Sequence, residues 1–279
     1  MSIRLGTAQL HVEECGSGPV LLVMHGGLGL DHTYLRPYLD SLGSAARVVY
    51  YDHRGNGKSP PVGDWTNISH DTWIDDADHL REALECEKTF LLGHSYGGFL
   101  AIEYALKYPS RLRGLILCST APAFDYADTA MALARSKYTD KQFQVLTQGL
   151  SGPIADDDAL REVWSEILPM YFKNVDARLV RQIIERIRFR ANAFNHSFFN
   201  CLPSFNTIDR LEHISTPTLV IGGREDWIMP PLHGPERLGK MIPGANVVIF
   251  EDSGHFPFIE EHERFTTLVS NWIDELRRE

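Results

Sequence analysis

The chain has 279 residues, 43% of them hydrophobic, enough to build one large α/β domain with an inserted lid. Its formal net charge of −10 leaves no basic surface to neutralise phosphates, so no nucleic-acid partner is expected. Four cysteines (Cys15, Cys86, Cys118, Cys201) show no paired spacing and no C-x-x-C pattern, which points to reduced thiols rather than a zinc or redox centre.

The start, Met1-Ser-Ile-Arg-Leu-Gly, lacks a basic stretch followed by an apolar one, and Pro19–Met24 is too short to span a bilayer. The expectation is a cytoplasmic protein with no membrane partner. Short apolar runs then recur as candidate buried strands at Val20–Met24, Arg47–Tyr51, Thr89–Leu92 and Leu112–Cys118. Amphipathic segments at Tyr34–Leu42, Asp71–Glu85 and Phe99–Tyr108 alternate with them. Strands apolar on both faces, alternating with helices, predict a doubly wound, mostly parallel sheet.

From about Thr120 to Ile214 the pattern changes. Apolar residues follow helical spacing, as in Ala159–Ile167 and Leu179–Ile187, and large aromatics accumulate from Trp164 to Phe205. Residues 121–214 therefore read as a helical cap inserted into a core domain of residues 1–120 and 215–279. Asp156-Asp-Asp158 reads as a solvated turn opening a helix. The strand pattern resumes at Thr218–Ile221 and Asn246–Phe250, and Glu261–Arg277 closes the chain as a helix.

Gly93-His-Ser-Tyr-Gly-Gly98 sits between an apolar strand and an amphipathic helix, the context of a nucleophile elbow. Ser95 is the candidate nucleophile. A serine hydroxyl needs a general base, and that base needs an orienting carboxylate. Asp226 follows the strand Thr218–Ile221, and His255 follows Asn246–Phe250, so both fall at the carboxyl edge where Ser95 stands. Rival acids are Glu225, Asp252 and Asp125, each with an ordinary turn or surface role available.

His25-Gly-Gly-Leu-Gly29 follows the strand Val20–Met24 and supplies an oxyanion loop, because glycines let backbone N–H groups approach a substrate oxygen. The donors are assigned to Gly27 and Tyr96, with Gly26 as the neighbouring option and His25 as a brace. Leu28, Phe194 and Phe198 are candidate substrate contacts. The histidines show no metal-ligand spacing, so neither a metal nor an organic cofactor is implied.

These motifs, together with Asp52-His-Arg-Gly-Asn-Gly-Lys-Ser59, make the chain resemble an α/β-hydrolase of the proline iminopeptidase branch. The resemblance covers nearly all of the core domain and implies the α/β-hydrolase fold and a Ser-His-Asp triad. Two departures bear on substrate. Leu28 stands where the branch usually has proline, and no cap motif matches the carboxylates with which iminopeptidases hold a free amine. Glu162, Glu166 and Glu185 are candidates for that task, although each reads as a solvated helix face.

The expected activity is hydrolysis of carboxylic esters or lactones, with a small-molecule acyl substrate as partner. The alternatives are an aminopeptidase or amidase with the same machinery, and a non-catalytic ligand-binding relative. Oligomeric state is not legible in the sequence.

Overall fold

The computed structural model describes residues 1–6, 8–27 and 29–278. Its centre is an eight-stranded sheet in the order β1-β2-β4-β3-β5-β6-β7-β8. An antiparallel pair, β1 (Ser2–Leu5) and β2 (Ala8–Cys15), forms one edge, and β2 also runs antiparallel to β4. The remaining pairings are parallel, through β3 (Val20–Met24), β4 (Arg47–Tyr51), β5 (Thr89–His94), β6 (Leu112–Cys118), β7 (Thr218–Gly223) and β8 (Asn246–Phe250).

The reason lies in the side chains. Every residue of β3, β5 and β7 is buried, as suits central strands covered on both faces. In β2, Ala8, Leu10 and Val12 are buried while the residues between them are not, so this strand presents one face to the core and one outward. Helix α1 (His70–Ala83) packs on α2 (Tyr96–Lys107), and α2 packs on β5 and β6.

Between β6 and β7 lie five α-helices, with shorter 3-10 and π turns among them: α3 (Ala127–Lys137), α4 (Asp140–Leu150), α5 (Asp157–Ile167), α6 (Ala177–Arg186) and α7 (Ala191–His196). Asp156 caps α5 by accepting the Ala159 N–H at 2.8 Å, as the run of aspartates predicted. The helices α8 (Pro235–Met241), α9 (Pro257–Glu260) and α10 (His262–Arg278) complete the chain. The fold class read from the sequence is the one observed.

The segment Tyr34–Leu42, expected as one amphipathic helix, is instead covered by two 3-10 helices, His32–Tyr34 and Tyr38–Ser44, interrupted around Pro37. Proline cannot donate the N–H that a continuous helix needs. Among the described residues no helix is long and apolar enough to cross a membrane. The four cysteines are free, with Cys118 fully buried at the end of β6.

Candidate active site

The elbow forms because the chain must turn from β5 into α2 within one residue. Ser95 takes up that turn at φ 56° and ψ −120°, a left-handed conformation that a residue with a Cβ adopts at a cost. Gly97 allows the turn to lie close, since a Cβ there would strike the backbone carbonyls of Met24 and His25 at the end of β3. The β3 loop and the elbow are thereby pressed together.

Two further loops carry the candidate acid and base. Asp226 follows β7 and is 2% exposed, and one of its carboxylate oxygens lies 2.7 Å from Nδ1 of His255. The other oxygen accepts the N–H groups of Ile228 at 2.9 Å and Met229 at 3.0 Å. His255 is itself buried, and its backbone N–H donates to the Tyr171 carbonyl at 2.7 Å. Ser95 and His255 line one cavity, along with Gly27 and Tyr96.

The rival acids are placed elsewhere. Glu225 is partly exposed and lies 2.6 Å from Lys137, whose ammonium lowers the pKa of the carboxyl. Asp252 and Asp125 are exposed and pair with Lys173 and Arg237, each at 2.8 Å.

On the candidate oxyanion loop after β3, the Gly26 N–H donates to the Tyr34 hydroxyl at 2.7 Å. That donor is spent, which leaves Gly27, at φ +60° and facing the cavity, as the loop's candidate. Tyr96 opens α2, so its N–H has no acceptor within the helix. His25 braces the loop as expected: its Nε2 accepts the His53 N–H at 3.2 Å. Asp52 is likewise a scaffold residue, accepting from Nδ1 of His32 at 2.6 Å and from the Lys58 N–H at 2.8 Å.

The cavity measures about 190 Å³. Phe194 and Phe198 line it, stacked with centroids 5.3 Å apart and planes at 7°. Leu28 lies outside the described residues. The sequence reading did not name further lining residues, Met131, Leu146, Val163 and Trp164, which α3, α4 and α5 contribute. Their signal was the apolar face of each helix, which looks the same whether it packs on protein or on substrate. Among the described residues lining the cavity there is no aspartate, glutamate, lysine or arginine. Glu162 and Glu185 are exposed, and Glu166 pairs with Lys141 at 3.0 Å.

Residues 19–262 match the family model described as the alpha/beta hydrolase fold. The chain belongs to that family. Among curated α/β-hydrolase relatives, it is 28% identical to the proline iminopeptidase PfmaB of Pestalotiopsis fici, over 98% of both chains. It is 29% identical to a proline iminopeptidase of Saccharolobus solfataricus, over 94% of this chain and 86% of that one. Among solved α/β-hydrolase structures, the enol-lactonase of Burkholderia xenovorans LB400 superposes with a TM-score of 0.74 at 21% identity, over 98% of this chain and all of the other (100%). At that identity the likeness is one of fold.

Proposed function

We propose that the protein is a serine hydrolase of carboxylic esters or lactones whose acyl group is neutral and apolar. Residues 121–214 act as the cap over a core of residues 1–120 and 215–279. His255 takes the Ser95 proton as the hydroxyl attacks the substrate carbonyl, and Asp226 holds the imidazole in the tautomer that leaves Nε2 free to accept. The N–H groups of Gly27 and Tyr96 stabilise the tetrahedral oxyanion. The alcohol leaves with a proton from His255, and a water activated by the same residue then releases the acyl group.

The observation that carries this reading is the uncharged lining of the cavity. An N-terminal amine is cationic at neutral pH, and burying it in an apolar pocket with no counter-charge costs several kcal/mol. An apolar acyl chain meets no such penalty.

A second reading, release of N-terminal residues, is favoured by the relatives named proline iminopeptidase. The two separate in one comparison: rates on short-chain esters and acyl lactones against rates on prolyl and alanyl amides. A fluorophosphonate that labels active serines is included, with Ser95→Ala as control. The ester reading expects labelling of wild type, none of the variant, and ester or lactone preference. Labelling with amide preference would establish the peptidase, and neither labelling nor turnover would establish a binder.

A further inference from the structure

We propose that Tyr34 and His94 form a hydrogen-bond relay that sets the oxyanion loop, the nucleophile turn and the base loop in one register. Both act as positioning residues. The chain of contacts runs from the Gly26 N–H to the Tyr34 hydroxyl at 2.7 Å, then to Nδ1 of His94 at 2.8 Å. It continues from Nε2 of His94 to the His255 carbonyl at 3.0 Å. Each end belongs to a loop that carries a group of the proposed mechanism, and His94 is joined by a peptide bond to Ser95.

With His94 neutral, only one arrangement of protons satisfies the relay. A backbone N–H can only donate, so the Tyr34 oxygen accepts at that end and its own proton must go to Nδ1 of His94. A carbonyl can only accept, so Nε2 of His94 carries the ring proton. The tautomer of the neutral His94 ring is therefore fixed. Burial, and the neighbouring His255, hold its pKa well below the ordinary histidine value, which keeps the ring neutral.

The packing allows little else. Tyr34 is 3% exposed and His94 1%. The His94 ring lies 4.8 Å from that of His255 and 5.1 Å from that of Phe258, centroid to centroid. A shift of any one loop breaks a buried hydrogen bond at another. The relay also commits the Gly26 N–H to Tyr34, which is why the next amide, that of Gly27, is the one offered to substrate.

The kinetic side of this proposal rests on the serine-hydrolase reading; the proton arrangement does not. Four variants are compared with wild type on an ester it turns over: Tyr34→Phe, His94→Leu, their double, and His94→Gln, whose amide can both accept and donate. Tyr104→Phe, which removes another buried hydroxyl, on Asp78, serves as control. Readouts are kcat, KM, thermal midpoint and affinity for a trifluoromethyl ketone, which forms a tetrahedral oxyanion on serine.

Tyr34→Phe and His94→Leu should each lose about a hundredfold in kcat with little change in KM, and should weaken the ketone in parallel. The double variant should be no worse than the worse single, His94→Gln should recover most of the loss, and Tyr104→Phe should behave as wild type. Additive singles, a loss confined to KM, or a glutamine variant no better than leucine would overturn the relay. Should the variants fail to fold, nitrogen-15 NMR of the wild-type His94 ring near neutral pH decides. An Nε2–H tautomer supports the relay, and an Nδ1–H tautomer or an imidazolium overturns it. A wild type that shows this Nε2–H tautomer but neither takes the fluorophosphonate nor hydrolyses esters refutes the hydrolase reading alone.

Discussion

Asp226 divides its carboxylate between two tasks: one oxygen meets Nδ1 of His255 at 2.7 Å, and the other takes the N–H groups of Ile228 and Met229. The two backbone donors fix the plane of the carboxylate before the histidine is considered. An acid held this way orients the imidazole without having to be ordered by it, and its burial removes competing water.

The first prediction follows from that division. Asp226→Asn should lower kcat by roughly 10⁴-fold, the scale seen when a triad acid becomes an amide and the histidine takes the wrong tautomer. Glu225→Gln should leave kcat unchanged, because Glu225 is spent on Lys137 at the surface. Steady-state rates of the two variants on one ester check the ranking. If Glu225→Gln proved the more damaging, the acid would have been misassigned.

Much of this site was legible beforehand because its geometry is local. A strand, one residue and a helix define the turn at Ser95, and Asp226 and His255 follow strands whose apolar runs announce them. The edge pair β1 and β2 was less visible. In β2 the buried residues alternate with Gln9, His11 and Glu13, so no apolar run appears. Tyr34 and His94 were invisible for a different reason. They are 60 residues apart, and a hydrogen bond between them depends on the whole sheet being assembled. The sequence puts Gly27 ahead of Gly26 as the donor, and the physical ground for that order, the Gly26 N–H bonded to Tyr34, belongs to the assembled fold.

The second prediction concerns the proposed cap. Phe198 is only half-buried and stacks on Phe194 against the cavity, so Phe198→Ala opens room without collapsing a core position. Specificity measured as kcat/KM across a series of acyl-chain lengths should move toward bulkier acyl groups. The cost in stability should stay below the roughly 3–5 kcal/mol typical of a fully buried phenylalanine replaced by alanine. An unchanged chain-length profile would remove Phe198 from the acyl pocket and leave it a packing residue.

The third prediction concerns Glu260, whose carboxylate ties the Lys173–Asn174 segment to the loop that carries His255. It accepts the N–H groups of Lys173 at 2.8 Å and Asn174 at 3.3 Å with one oxygen, and that of Gly254 at 2.7 Å with the other. Gly254 immediately precedes His255. Glutamine offers a single acceptor oxygen, so Glu260→Gln must give up one side of this clamp, at about 1–3 kcal/mol where that side is the buried Gly254 N–H and less where it is the exposed N–H groups of Lys173 and Asn174. The expected kinetic signature is a lower kcat with KM little altered, since the base loop loosens while the cavity keeps its shape.

The same residue gives a pH signature. Burial raises the Glu260 pKa to about 7, against an ordinary value of 4.5. Between those values the folded protein holds a proton that the unfolded chain has released. The stabilisation this group contributes is therefore complete below about pH 4.5 and is lost as pH rises through 7. Glutamine does not titrate, so Glu260→Gln should abolish this component of the slope. Urea midpoints of wild type and variant on the acid and alkaline sides of that window measure it as a difference of differences. Parallel curves would mean that Glu260 keeps an ordinary pKa and that its role in the clamp is purely geometric.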